Sequence, residues 1–91
     1  MRLDKYLKTA RILKRREAAK ELALQGRVLL NGRPAKPSAE VEIGDELEMR
    51  FGTRILKIKV TDIQKQVSKA NAALLFEVLE ERRIENPDAG V

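Results

Sequence analysis

The sequence contains no cysteine and no histidine among its 91 residues. Disulfide frameworks, thiolate nucleophiles and the usual zinc sites are therefore excluded, because they need Cys or His side chains. Histidine is also the commonest general base, so catalysis would rest on carboxylates, lysines and hydroxyls alone. The lack of cysteine fits a reducing cytoplasm. We expect no enzyme activity, no metal site and no cofactor.

Aromatic residues and long apolar runs are also scarce. Aromatic residues make up 3% of the chain, and no apolar run approaches the roughly 20 residues that span a bilayer. The first residues, Met1-Arg2-Leu3-Asp4, lack the apolar core of a signal peptide. We therefore expect a protein that stays inside the cell. Its length suits one small domain that buries about 60–65% of its unfolded surface.

Positive charge is abundant but unevenly distributed. The formal net charge is +5, yet residues 1–37 carry eleven Lys or Arg against three Asp or Glu. Residues 38–91 carry eight bases against eleven acids. This asymmetry indicates nucleic acid or an anionic membrane surface as a partner, since clustered cations release the counterions of a phosphate backbone. The alternative, left open by charge alone, is a lysine-rich surface that is merely solvated.

Two short helices are predicted in the basic half. The first has apolar residues at helical spacing, namely Leu3, Tyr6, Leu7 and Ala10. The second spans about residues 15–25, with small alanines facing the core. It ends at Gly26, which suits the left-handed conformation that commonly follows a helix.

Strand patterns follow the second helix. Asn31-Gly32 predicts a tight turn, and alternating apolar residues in 46–51 and 55–63 predict a further hairpin. Ser68 is expected to cap a C-terminal helix over about residues 69–83, which either covers the sheet or meets a protein partner. The predicted fold is α+β, with two N-terminal helices on a small, mostly antiparallel sheet, an extra hairpin and a C-terminal helix. Its predicted parts are a domain with its sheet (1–63), the C-terminal helix packed on or next to it (64–85) and a flexible tail (86–91).

The residues of the basic half narrow the choice of partner. Neither predicted helix there carries a Trp or Phe to anchor it in a membrane. The exposed side chains are mostly Lys and Arg, with little of the base-reading chemistry of a DNA recognition helix. Tyr6 fits the core stripe rather than a platform for stacking single-stranded bases. Folded RNA, recognised through shape and phosphates, is the partner that these residues favour.

Several short motifs occur together within residues 1–50. They are Arg2-Leu3-Asp4-Lys5-Tyr6-Leu7, Lys14-Arg15-Arg16, Gln25-Gly26-Arg27-Val28, Asn31-Gly32 and Ile43-Gly44-Asp45. Their combination resembles the RNA-binding module first recognised in small-subunit ribosomal protein four, called here the S-four domain. In pseudouridine synthases and tyrosyl-tRNA synthetases this module is attached to larger domains. Little chain remains beyond it here, so we expect neither of those activities.

Among small proteins with an S-four domain, the sequence resembles the bacterial RqcP (YabO) family and, less closely, the ribosome-associated heat-shock family. The start M-R-L-D-K-Y-L-K, the segment I-L-K-R-R-E-A-A-K-E and the acidic C-terminal segment favour the RqcP family, since the heat-shock family usually carries a longer basic tail. The resemblance implies a quality-control factor that binds large ribosomal subunits obstructed by peptidyl-tRNA. It would contact rRNA and tRNA and support template-free C-terminal alanine tailing by an RqcH/NEMF-family partner. We expect a monomer on cytoplasmic ribosomes, with no membrane partner.

The same resemblance implies which residues bind RNA. Arg2, Arg11, Arg15 and Arg16 fall at the family's RNA-contact positions, and Asp4 is expected to orient a neighbouring arginine. Six more basic residues complete the candidate RNA-binding set: Lys5, Lys8, Lys14, Lys20, Arg27 and Lys36. For Lys20, Arg27 and Lys36 a merely solvated position is the alternative. No catalytic residue is expected, and the alternative function is a general structured-RNA-binding or ribosome-recycling heat-shock-type protein.

Overall fold

The computed structural model describes residues 1–64, 67–68 and 70–83. Two helices come first, α1 (Leu3–Thr9) and α2 (Arg16–Leu24). They are followed in the described part of the chain by β1 (Val28–Leu30), β2 (Arg33–Pro34), β3 (Glu46–Phe51), β4 (Arg54–Val60), a 3-10 turn (Ala72–Leu75) and β5 (Phe76–Arg83). The strands form one antiparallel sheet in the order β2-β1-β3-β4-β5. The α+β fold of two helices and an antiparallel sheet is confirmed.

The helices and the sheet share one apolar core. All four apolar residues predicted for the first helix are buried, and Ala19 and Ala23 of α2 are buried beside them. The alternating residues of β3 and β4 complete this core, with Leu47 opposite Ile58. No helix in the described ranges has the length and apolar character needed to span a bilayer.

The start of α1 is held by a later loop. The backbone N–H of Leu3 donates to the Ala39 carbonyl at 2.8 Å, and that of Asp4 donates to the Pro37 carbonyl at 3.1 Å. These bonds satisfy donors that a helix leaves unpaired in its first turn. The loop therefore fixes where α1 begins and which way the side chains of its first turn face.

The predicted Asn31-Gly32 turn is present, and the Asn31 side chain also connects it to the start of β3. Both residues have positive φ, 51° and 85°, as the predicted tight turn requires. The Asn31 Oδ1 accepts the Glu46 N–H at 2.9 Å, and its Nδ2 donates to Asp45 Oδ1 at 3.1 Å. The Asn-Gly and Gly-Asp motifs are thus parts of one structural connection between the β1–β2 turn and the start of β3.

The predicted C-terminal helix is wrong. Within the segment 64–85, residues 72–75 form a single 3-10 turn and Phe76–Arg83 forms β5, which pairs with β4. The apolar spacing is helical, but β4 presents an edge that a strand can pair with, and such pairing is invisible to local periodicity. Val78 and Leu79, which would lie on the apolar face of such a helix, are exposed. The predicted tail, 86–91, lies outside the described residues.

Candidate nucleic-acid interface

A cleft of about 270 Å³ lies where the beginnings of α1 and α2 meet. Its lining residues are Arg2, Asp4, Arg16, Glu17 and Lys20. Arg16 and Lys20 are one helical turn apart and therefore lie on the same side of α2. The first turn of α2 adds the partial positive charge of its unpaired backbone N–H groups. The cleft thus gathers three cations from two separate elements.

Asp4 holds the two arginines of the cleft. It is 2% exposed, and its Oδ2 accepts a hydrogen bond from Arg2 Nη2 at 3.2 Å. Its Oδ1 lies 3.4 Å from Arg16 Nη2 and accepts the Lys5 N–H at 2.7 Å. The side chains of Arg2 and Arg16 remain 49% and 44% exposed. Each guanidinium has five N–H donors, so both keep donors free for a ligand while the carboxylate fixes their orientation.

Five of the predicted RNA-binding residues follow the helices away from the cleft. Lys5 and Lys8 lie on α1, and Arg11, Lys14 and Arg15 lie on the connection between the helices. All of them except the half-buried Lys5 are exposed. Together they add positive charge to α1 and to the connection between the helices.

Arg11 also shapes the backbone where α1 ends. Its φ is 56°, an uncommon value for a residue other than glycine. The chain reverses here, so that the N–H groups of Ile12 and Leu13 both donate to the Leu7 carbonyl, at 3.1 and 3.2 Å. A structural role of the Arg11 backbone therefore accompanies the predicted role of its side chain.

Two predicted residues lie apart from the cleft, and one cleft residue was missed. Arg27 directly precedes β1, and Lys36 lines a separate pocket of about 360 Å³ that it shares with Arg33. Glu17 was not singled out, although its place next to Arg16 and one turn before Lys20 could have indicated it. RNA contact by each basic residue stays a prediction.

The chemistry of the cleft is that of binding. Guanidinium groups form strong, directional hydrogen bonds with phosphate oxygens. Two such groups, already oriented by Asp4, lose less conformational freedom on binding than free surface side chains would. In the residues that the structure describes, no group of three or more potential metal-ligating side chains occurs. The arrangement therefore suits a ligand that carries phosphates.

Comparison with known proteins shows that the cleft residues lie in a segment that this chain shares with them. The S4 domain family matches residues 1–47. The RQC P-site tRNA stabilizing factor of Streptococcus pneumoniae (strain ATCC BAA-255 / R6) is 46% identical over 85 residues, which cover 93% of this chain and 97% of that protein. Heat shock protein 15 of Escherichia coli K12 is 41% identical over 78 residues, or 85% of this chain and 59% of that protein. The trimeric structure of Vibrio cholerae Heat Shock Protein 15 has a TM-score of 0.80 at 37% identity, covering 86% of this chain and 80% of that one.

These matches confirm the resemblance drawn from the sequence motifs. The S4 match covers more than half of the chain and includes all five residues that line the cleft. The streptococcal relative matches over nearly its whole length, whereas the Escherichia coli heat-shock relative is much longer than the matched segment. The chain therefore belongs to the S4-domain proteins and, among them, to the family of the RQC P-site tRNA stabilizing factor, the RqcP family.

Proposed function

We propose that the protein is a ribosome-associated quality-control factor that binds RNA through the cleft between α1 and α2. Its ligand is the large ribosomal subunit obstructed by peptidyl-tRNA, with contacts to both rRNA and tRNA. The observation that carries the proposal is the pair Arg2 and Arg16, oriented by the buried Asp4. This pair lies in the segment shared with a relative that is named for stabilizing P-site tRNA.

The extent of the basic surface supports contact with two RNAs. A factor that stabilises a tRNA on the ribosome has to touch the tRNA and a second surface at the same time. The cleft supplies oriented arginines, and the exposed connection between the helices supplies Arg11, Lys14 and Arg15. Each phosphate neutralised along this surface releases counterions and adds to the affinity.

In this proposal the protein contributes binding, and the chemistry belongs to a partner. By holding the tRNA in place, it supports an RqcH/NEMF-family factor that adds alanine to the stalled chain without a template. The protein acts as a monomer on cytoplasmic ribosomes and is not itself an enzyme.

Replacing Arg16 tests the proposal directly. We expect Arg16→Ala to lower affinity for large subunits by about ten- to a hundredfold, because the variant loses an oriented phosphate contact. Arg82→Ala is the matched control, since Arg82 is also paired with a carboxylate, Glu80 at 3.0 Å, but lies on β5 away from the cleft. Co-sedimentation in sucrose gradients measures the affinity, and circular dichroism checks that both variants fold. Unchanged binding by folded Arg16→Ala would overturn the proposal.

General structured-RNA binding or heat-shock-type recycling is the second candidate. The structural likeness to a Heat Shock Protein 15 favours it. A general binder relies on phosphate neutralisation, so its affinity is similar for unrelated stem-loops and for ribosomes, and it falls steeply with salt. A clear preference for tRNA-occupied large subunits over free stem-loops distinguishes the quality-control factor.

A further inference from the structure

The basic cleft contains a carboxylate that the proposed function does not use. Both Asp4 oxygens are engaged by donors of the protein, namely the side chains of Arg2 and Arg16 and the N–H of Lys5. Glu17 lines the same cleft and is exposed. Over residues 1–64, 67–68 and 70–83, its carboxylate takes part in no ion pair and in no side-chain hydrogen bond.

A free carboxylate is unfavourable in a site that binds phosphate alone. An ionised Glu is only an acceptor of hydrogen bonds, and it repels a phosphate brought close to it. The cleft therefore fits a ligand that offers a phosphate to the cations and a hydrogen-bond donor to Glu17. A ribonucleotide has this combination, because the ribose 2′-hydroxyl lies near the backbone phosphates.

The 2′-hydroxyl suits this cleft better than a base amino group does. The wide minor groove of an RNA helix displays the 2′-hydroxyls of its nucleotides, and this group is what lets a protein distinguish RNA from DNA. A base amino group becomes available only where a base is unpaired or its groove edge is open. A contact to the sugar therefore agrees with recognition through backbone and shape.

We propose that Glu17 is a specificity-determining residue that accepts a hydrogen bond from a ribose 2′-hydroxyl. The phosphate of the same backbone segment lies on Arg2, Arg16 and Lys20. This inference rests on the proposed function, since it assumes that the cleft holds RNA. It adds a selection for ribose to a site whose cations alone would bind any polyanion.

The test compares two RNA probes that differ only in whether they carry the 2′-hydroxyl donor. One is a synthetic hairpin of a tRNA acceptor stem, and the other is its fully 2′-fluoro counterpart, which keeps the A-form helix but has no 2′ donor. We expect the wild-type protein to bind the ribose hairpin about tenfold more tightly, the lower end of the range expected for one hydrogen bond to a charged group. In Glu17→Ala this ratio falls to about one, because RNA binding weakens while binding of the 2′-fluoro hairpin does not.

Glu21→Ala is the matched control. Glu21 lies one turn further along α2, is exposed and does not line the cleft, and its replacement changes the net charge by the same amount. We expect this variant to bind both hairpins slightly more tightly and to keep the wild-type ratio. Thermal unfolding reports separately on the alternative, in which Glu17 only stabilises the first turn of α2 through the helix dipole.

The outcomes separate the inference from the function on which it rests. If Glu17→Ala and Glu21→Ala change both affinities equally, or if Glu17→Ala lowers the unfolding temperature without changing the ratio, Glu17 does not select ribose. Failure of the wild-type protein to bind either hairpin or large subunits would instead overturn RNA binding by the cleft.

Discussion

The cleft and the outer face of the sheet, formed by charged side chains of β3, β4 and β5, use the same charged residue types in different ways. In the cleft one buried acid, Asp4, orients two arginines, and Lys20 is nearby. On the outer face acids and bases alternate across the strands. Lys57 lies opposite Glu48 on β3 and opposite Glu80 on β5.

This difference shows that the arrangement of charged residues matters more than their number for binding a polyanion. On the sheet the two lysines of β4 lie opposite acids of both β3 and β5, so their positive potential is largely cancelled. The ion pairs there are exposed at least in part, such as Arg50 with Glu48 at 3.3 Å, and pairs of this kind contribute about 0–1 kcal/mol to stability. Around the cleft the bases outnumber the acids and create the field that attracts a polyanion.

Replacing one acid in each region is expected to give the largest difference in stability. We expect Asp4→Ala to lower the free energy of unfolding by about 1–3 kcal/mol, because it leaves the Lys5 N–H without its acceptor and two guanidinium groups without their shared carboxylate. Glu48→Ala, which removes an acid of the outer face, should lower it by about 0–1 kcal/mol. Urea unfolding followed by circular dichroism measures both. Equal losses in the two variants would show that Asp4 is no different from a surface ion pair.

A smaller loss of stability is expected where α1 meets the 3-10 turn that precedes β5. The Tyr6 hydroxyl, on α1, donates to the Leu75 carbonyl at 2.7 Å, across 69 residues of sequence. That carbonyl also accepts the N–H groups of Thr61 and Asp62, so it keeps partners when the hydroxyl is lost. Tyr6→Phe should therefore reduce the free energy of unfolding by about 0.5–1.5 kcal/mol. A loss near zero in urea unfolding would mean that this bond does not help to join α1 to the C-terminal segment.

The same hydroxyl predicts a dependence on alkaline pH. Burial, with a lesser effect of the nearby Asp62, raises the pKa of Tyr6 well above its ordinary value of 10.0. The unfolded chain thus releases this proton at a lower pH than the folded one, so stability is fully present below pH 10 and falls as the pH rises above it. Tyr6→Phe should remove the part of this alkaline loss of stability that comes from Tyr6. The chain has one tyrosine, so the ultraviolet absorbance of its phenolate follows the titration directly, and ionisation near the ordinary value in the folded protein would contradict the prediction.

The smallest predicted effect is on the salt dependence of RNA binding, and it compares one lysine of the cleft with one lysine of the outer face of the sheet. Lys20→Ala should reduce the slope of log affinity against log salt by about one, because one phosphate contact is lost. Lys59→Ala should leave the slope unchanged, since Lys59 lies on β4 opposite Glu46 and Glu77. RNA binding measured over a range of salt concentrations gives both slopes. Equal reductions would mean that the outer face of the sheet also contacts phosphates.

Elements with strong local signals could be predicted from the sequence. The apolar spacing of α1, the glycine after α2 and the Asn31-Gly32 turn each depend on residues a few positions apart, and all are present. Arg2 and Asp4 share a motif, so their proximity also had a local signal. The contact of Asp4 with Arg16 depends on the packing of α1 against α2 and needed the structure.

The C-terminal segment was not predictable in this way. Its apolar residues have helical spacing, and the conformation is decided instead by the edge of β4 and by the long-range bond from Tyr6. Glu17 was missed for a similar reason. In the sequence it is one acid within a basic stretch, and its significance comes from lying in the same cleft as Asp4 while making none of its contacts.

The most direct test of the account is to identify the RNA that the protein binds. Tagged protein is sedimented from lysate through sucrose gradients at physiological and raised salt, and the co-purified RNA is sequenced. We predict enrichment with large subunits that carry peptidyl-tRNA, and a preference for them over bulk RNA that persists at raised salt although the affinity falls. Distribution over bulk RNA, lost at modestly raised salt, would contradict the account and leave a general basic RNA-binding domain.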